Sequence, residues 1–255
     1  SVTTETLFDS AGTYQPPLSQ NIKTFFRLLR PDPEIDIYHF FFAPNARTSS
    51  ALKLLLKFKK QKTLHTVASA PENFPQAKNW LFADQTVAVS QHTRQEFEKC
   101  GVRNIETVYP GISVPSQQDI QNISTSEWEG LREGADAVFI YPGDYEFSGG
   151  HDFLTSLLPE VISYHPRLKF VFACRTKTPE AKKIEAAVMA KLGRVRQILF
   201  LNEISNMRGL LKICDAVLFP AQSLYKKVDI PLTLLEAMSL GKPVIASKLP
   251  ALTEL

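Results

Sequence analysis

The chain has 255 residues, 44% of them apolar, with 29 Lys plus Arg against 26 Asp plus Glu and a formal net charge of +3. That apolar fraction excludes a wholly disordered chain and can fill two modest cores, each in a domain of ordinary size. No apolar run reaches the ~18 residues of a membrane span, and the three cysteines, Cys100, Cys174 and Cys214, are odd in number and lack metal-ligand spacing, which favours reduced thiols in a cytoplasmic setting over disulfides or zinc.

In chain order the sequence predicts a helix near 19–30, a strand near 36–42, a helix near 48–61, strands near 63–69 and 84–89, a helix near 91–100 and a strand near 104–108. After a stretch rich in Ser, Gln, Asn and Thr from Ser113 to Ser126 come strands near 136–141, 168–174, 197–201, 214–219 and 243–247, interleaved with helices near 151–164, 179–192, 204–212 and 231–240. Such alternation predicts an α/β fold with parallel sheets. The polar stretch divides it into a first domain over 1–115, a linker over 116–134 and a second domain over 135–255.

The net charge belongs to the first half: residues 1–115 hold 13 Lys plus Arg against 10 Asp plus Glu, and the remainder is balanced. Ala51 to Lys62 concentrates five lysines among five large apolar residues at helical spacing. A basic amphipathic helix of this kind can lie on an anionic membrane surface; it can equally pack on a sheet through its leucines and keep its lysines in water. The basic excess is modest and no aromatic-basic platform accompanies it, so nucleic acid is not an expected partner. No Asp-x-Asp triplet is present to hold a metal, and no Gly-x-Gly-x-x-Gly follows a strand, which disfavours a nicotinamide dehydrogenase.

The densest signal runs from Asp229 to Glu254. Pro231 suits the first helical position, Leu232, Leu235 and Met238 to Leu240 give one apolar face, Gly241 stops the helix, and Val244-Ile245-Ala246 is a short buried-strand run. A helix opening at the mouth of a parallel sheet aims unpaired N–H groups, here those of Leu232 and Thr233, at whatever binds there and favours phosphate. Glu236, one turn in, can accept hydrogen bonds from a ribose diol, or it can simply complement the helix dipole.

Pro231, Glu236, Ala237, Met238, Gly241, Pro243 and Val244 together resemble the Pro-x4-Glu-Ala-Met-x2-Gly-x-Pro-Val run of the family-4 glycosyltransferases. Four further blocks occur in that family's order: Asp36-Ile-Tyr-His39, Lys62-Thr-Leu-His65, Ala83-Asp84 through Ser90, and Ile105 through Pro110-Gly111-Ile112. Ala135 to Gly150 resembles the family's strand and glycine loop. The resemblance implies the GT-B fold, an α/β architecture of two Rossmann-like domains with parallel sheets facing across a cleft. The first domain is the acceptor side and is expected to lack its first strand; the second is the donor side and is expected to be truncated.

It further implies a retaining, metal-independent transfer of a sugar from a nucleotide diphosphate sugar to a lipid-linked or saccharide acceptor, without a cofactor, in a cytoplasmic enzyme with a peripheral membrane contact through 51–62. Glu236 would hold the ribose, Gly143, Leu232 and Thr233 would line the donor site, and His65 would sit beside the transferred sugar. Three positions depart from the pattern: Val228 replaces the first glutamate of a Glu-x7-Glu motif, Asp144 replaces an arginine and Gly149 a lysine. Arg175, directly after an apolar strand, is the expected replacement cation and second catalytic residue. Lys226 and Lys227, just ahead of the helix, are further donor-binding candidates, read equally as solvated loop lysines. With those losses the alternative is a degenerate GT-B protein that binds or scaffolds.

Overall fold

The computed structural model describes residues 18–30 and 34–255; residues 1–17 of the expected first domain lie outside the described residues. The first half runs α1 (Leu18–Leu29), β1 (Ile37–Phe41), α2 (Ala46–Leu56), β2 (Lys62–Val67), α3 (Phe74–Ala77), β3 (Gln85–Ala88), α4 (Gln91–Lys99) and β4 (Ile105–Thr107). Its four strands are parallel in the order β1-β2-β3-β4. Parallel neighbours need a crossover, and α2, α3 and α4 supply the three. Val67, Ala77, Ala88, Phe97 and Ile105 form the core of this half, with Phe97 and Ile105 essentially sealed from solvent.

The second half runs α5 (Gln117–Asn122), β5 (Ala137–Tyr141), α6 (Gly150–Tyr164), β6 (Leu168–Ala173), α7 (Pro179–Leu192), β7 (Ile198–Leu201), α8 (Met207–Ile213), β8 (Ala216–Phe219), α9 (Leu232–Ser239) and β9 (Val244–Ala246). All pairings are parallel, in the order β7-β6-β5-β8-β9. The period-2 alternation of strands distributes side chains to two faces. Val138, Ile140, Val171, Val217 and Phe219 meet Leu210 and Leu211 of α8 and Leu234 and Ala237 of α9 on one face. Tyr141, Phe170 and Phe172 meet Leu154, Leu158 and Ile162 of α6 and Val188 and Leu192 of α7 on the other. Each fully buried Leu contributes roughly 1.5–3 kcal/mol. The strand order reverses between β5 and β8, and in such sheets the carboxyl ends at the reversal open a crevice.

The molecule therefore has the GT-B type of architecture, with two parallel sheets. The expected strands and helices fall within a few residues of those observed, with two additions and one shortening. Helix α3 and helix α5 are too brief to announce themselves through periodicity. The predicted helix 48–61 ends at Leu56, because Lys62 opens β2 by pairing with Ile37 of β1 and the chain has to turn between the helix and that strand. The basic segment 51–62 is thus half helix and half turn: Leu52 and Leu55 are buried, Leu54 and Phe58 are exposed, and Lys53 and Lys59 donate to the carbonyls of Asn79 and Arg30. Among the described residues no helix is long and apolar enough to cross a membrane.

The segment 116–134 is tied to the second half. Trp128 enters its core, the indole N–H donates to the Asn206 carbonyl at 3.2 Å, and Lys212 donates to the carbonyls of Gln121 and Ile123. Cys174 and Cys214 are buried free thiols, and Cys100 is a partly exposed one.

Candidate functional site

A cleft of about 910 Å³ opens at the carboxyl ends of the second sheet. Gly143 follows β5, Arg175 and Thr176 follow β6, Asn202 follows β7, and Thr233 and Glu236 project from α9. Four of the residues singled out in the sequence, Gly143, Arg175, Thr233 and Glu236, are brought together here. Arg175 is exposed to the cleft and has no ion pair or hydrogen bond among the described residues. Glu236 is half-buried, and its carboxylate likewise has no partner among them. Pro231 stands at the cap of α9, with φ −65° and ψ 124°, one position earlier than its expected place inside the helix, and no side chain caps that end. The amides of Leu232 and Thr233 are therefore left without an acceptor supplied by a cap. Leu232 does not line the cleft, and its side chain is exposed.

Gly143 has a local reason to be glycine. A Cβ there would lie 1.9 Å from Cζ and 2.2 Å from the hydroxyl of Tyr141. That ring is 2% exposed, and its hydroxyl donates to the Asp144 carbonyl at 3.2 Å and shares a hydrogen bond with Ser148 at 3.1 Å. The loop is thus laid directly over a fixed aromatic ring.

Lys226 and Lys227 do not join the cleft. Lys227 pairs with the Asp144 carboxylate at 3.0 Å, and the Lys226 ammonium lies 4.8 Å from the Phe147 ring and 5.1 Å from the Tyr225 ring. Gln222 N–H donates to the Ser148 carbonyl at 2.6 Å. The loops after β5 and β8 are consequently stapled to one another. The other Asp144 oxygen accepts from the N–H groups of Glu146, Phe147 and Ser148 at 2.8, 2.6 and 3.4 Å. Burial alone would raise this carboxyl, but the Phe147 N–H bond and the Lys227 charge outweigh it and hold Asp144 below the usual carboxylate range. What reads in the sequence as a lost phosphate cation is in the structure the loop's own acceptor.

His65 is elsewhere too. It lies on β2 at 0% exposure against the rings of Phe42 and Phe82, centroids 4.5 and 4.8 Å away, with Nε2 3.1 Å from the Phe42 carbonyl. This ring does not line the cleft. Burial pushes its pKa below the ordinary 6.5, against the Phe42 hydrogen bond and with help from His39. The unfolded chain then takes up the proton first as pH falls, so this contribution to stability is complete above about pH 6.5 and is lost progressively below it. Melting temperatures taken from about pH 8 to about pH 5.5 should fall on the acid side, and His65→Phe should flatten that fall relative to the parent.

Sequence reasoning missed Thr176, Lys182 and Asn202, all of which line the cleft. Thr176 N–H donates to Asn202 Oδ1 at 2.8 Å, and the Asn202 amide donates back to the Thr176 hydroxyl. The available signal was position: each of Thr176 and Asn202 stands just beyond a strand's carboxyl end. It also missed Asp229, which is fully buried where the two halves meet.

A doubly wound sheet with a cleft at its reversal and a carboxylate on the flanking helix forms one half of a GT-B architecture. Residues 136–255 match the family model described as glycosyl transferases group 1. More than nine tenths of the chain is similar in fold to several solved structures. Anabaena Alr3699/HepE, solved in complex with UDP-glucose, aligns at 21% identity and TM-score 0.67, covering 93% of this chain and 66% of that one. A glycosyltransferase from Rickettsia africae ESF-5 aligns at 18% identity and TM-score 0.65, covering 93% and 62%. A UDP-forming alpha,alpha-trehalose-phosphate synthase from Burkholderia vietnamiensis aligns at 13% identity and TM-score 0.68, covering 92% and 64%. This chain spans just under two thirds of the length of these structures. No curated protein matches the sequence.

Proposed function

We propose that the protein is a glycosyltransferase that takes a sugar from a nucleotide diphosphate sugar, with the ribose held by Glu236 and the diphosphate by Arg175 and the opening amides of α9. The observation that carries this reading is a half-buried, unpartnered carboxylate one turn inside an uncapped helix, in the same cleft as an unpartnered arginine. Carboxylate and amides together match a ribose diol next to phosphate. The UDP-glucose complex of the similarly folded HepE makes UDP-linked hexose the first donor to test.

On this reading residues 1–115 form the acceptor side, 116–134 the connection and 135–255 the donor side. Transfer is metal-independent and retains configuration: the bond from the anomeric carbon to the donor phosphate breaks, a bond to the acceptor oxygen forms on the same face, and a phosphate oxygen receives the acceptor's proton. The protein contributes positioning and charge stabilisation. The acceptor is a saccharide or a lipid-linked group, and in the second case Leu54 and Phe58, exposed among the lysines of 51–62, lie against an anionic membrane surface.

A second reading draws on Val228 and on the loop already occupied by Asp144: a degenerate relative that keeps the fold and binds a partner protein. Calorimetric titration of the chain with UDP, GDP and ADP separates the two. Saturable one-to-one binding of one nucleotide is expected for the transferase; absence of binding to all three, with the protein folded, would leave the scaffold.

A further inference from the structure

Asp229 has no part in the reading above, yet it is the most completely enclosed charged side chain of the molecule's described residues, at 0% exposure. It belongs to the second half and stands three residues ahead of α9, but all its side-chain partners belong to the first. Oδ1 accepts from the Ala70 N–H at 2.7 Å, and Oδ2 accepts from the hydroxyls of Ser90 and Thr93, both at 2.6 Å. Its own N–H donates to the Ala68 carbonyl at 3.2 Å. A second carboxylate from the same half grips the same helix: Glu254 accepts from the N–H groups of Gln91 and His92 at 2.7 and 2.8 Å. The two acidic side chains thus hold the start of α4 and the 68–70 loop.

We infer that Asp229 is a positioning residue for the cleft, fixing the start of α9, and with it Thr233 and Glu236, against the first half before any ligand arrives. A buried carboxylate is tolerated only when its acceptor sites are filled, and three short donors converge on this one. Opening the halves would leave that carboxylate without the donors that fill it, which biases the molecule toward the joined arrangement. Short linkage matters as well: only Ile230 and Pro231 separate Asp229 from the helix, and Ile230 is itself 2% exposed. The neighbouring Val228, where relatives of this pattern are expected to carry glutamate, is exposed and makes no such link. This assignment rests on the cleft being the donor site for its functional meaning, but the mechanical claim stands separately.

The test is hydrogen exchange read peptide by peptide, with UDP titration alongside. In Asp229→Ala, exchange at Ala70 and in the Leu232–Glu236 turn should accelerate at least about tenfold while β5 and β6 keep their parental protection. Asp229→Asn, which still offers an oxygen to Ala70, should restore a large part of the protection. Thr93→Val, altered on the opposite half, should reproduce the effect on the Leu232–Glu236 turn, and it serves where Asp229→Ala fails to fold. UDP affinity should fall about tenfold in Asp229→Ala. Unchanged exchange in the Leu232–Glu236 turn in both Asp229→Ala and Thr93→Val would overturn the inference. Failure of the parent protein to bind UDP, with the exchange result intact, would instead count against the donor reading alone.

Discussion

Replacing Arg175 with Ala is expected to weaken UDP binding by roughly ten- to a hundredfold, the equivalent of about 1.5–3 kcal/mol for one hydrogen bond to a charged group. Of the cations suggested by the sequence, Lys227 neutralises Asp144 and Lys226 stands over two aromatic rings, so neither is available to a diphosphate without dismantling the staple between two loops. Arg175 has no such engagement and opens onto the cleft that holds Glu236. Lys226→Ala should therefore stay within about twofold of the parent, since its ammonium lies outside the cleft. Calorimetry on the two variants decides the matter: an equal loss from both would show that the lysines swing into the site, and no loss from Arg175→Ala would remove the diphosphate from this end of the sheet.

Gly143→Ala is expected to be the more damaging change, because it cannot be accommodated by a small shift. The new methyl would fall well inside the van der Waals radius of the Tyr141 ring, and that ring is wedged in the core with its hydroxyl bonded on two sides. Overpacking of this kind costs about 1–3 kcal/mol, which for a chain of this size lowers the melting temperature by roughly 2–4 °C per kcal/mol. The displaced loop carries Asp144, so the connection to Lys227 and the 222–228 segment should loosen too, and UDP binding should fall further than stability alone explains. A variant with parental melting temperature and parental UDP affinity would show that the loop has room the geometry denies it.

The comparison of sequence with structure divides along a physical line. Strands and crossover helices were legible because burial imposes a period: Leu154, Leu158 and Ile162 fall on one side of α6, and the β5 run alternates between two helix layers. Gly143, Arg175, Thr233 and Glu236 were legible as a group because each stands at the end of a strand or the beginning of a helix, and topology alone carries such positions to the reversal between β5 and β8. Side-chain destinations were not. Lys226 adopts a left-handed backbone, φ 57°, that turns its ammonium onto Phe147, and nothing in the order of residues announces it. Asp144 reads as a repulsive charge until its bonds to three successive N–H groups are seen. His65 matches a strand-end pattern, but the aromatic residues that enclose it, Phe42 and Phe82, come from two other parts of the chain. Asp229 is the extreme case, with partners 136 to 159 positions away.

The chain contains two tryptophans, and the architecture assigns one to each sheet: Trp80 packs beside the core of the first, and Trp128 is locked under the second by its bond to Asn206. The molecule thus carries a built-in pair of optical reporters. Single replacement of either indole by phenylalanine leaves an emission signal that belongs to one sheet only, so denaturant curves recorded on the two proteins reveal directly whether the halves melt together or in succession.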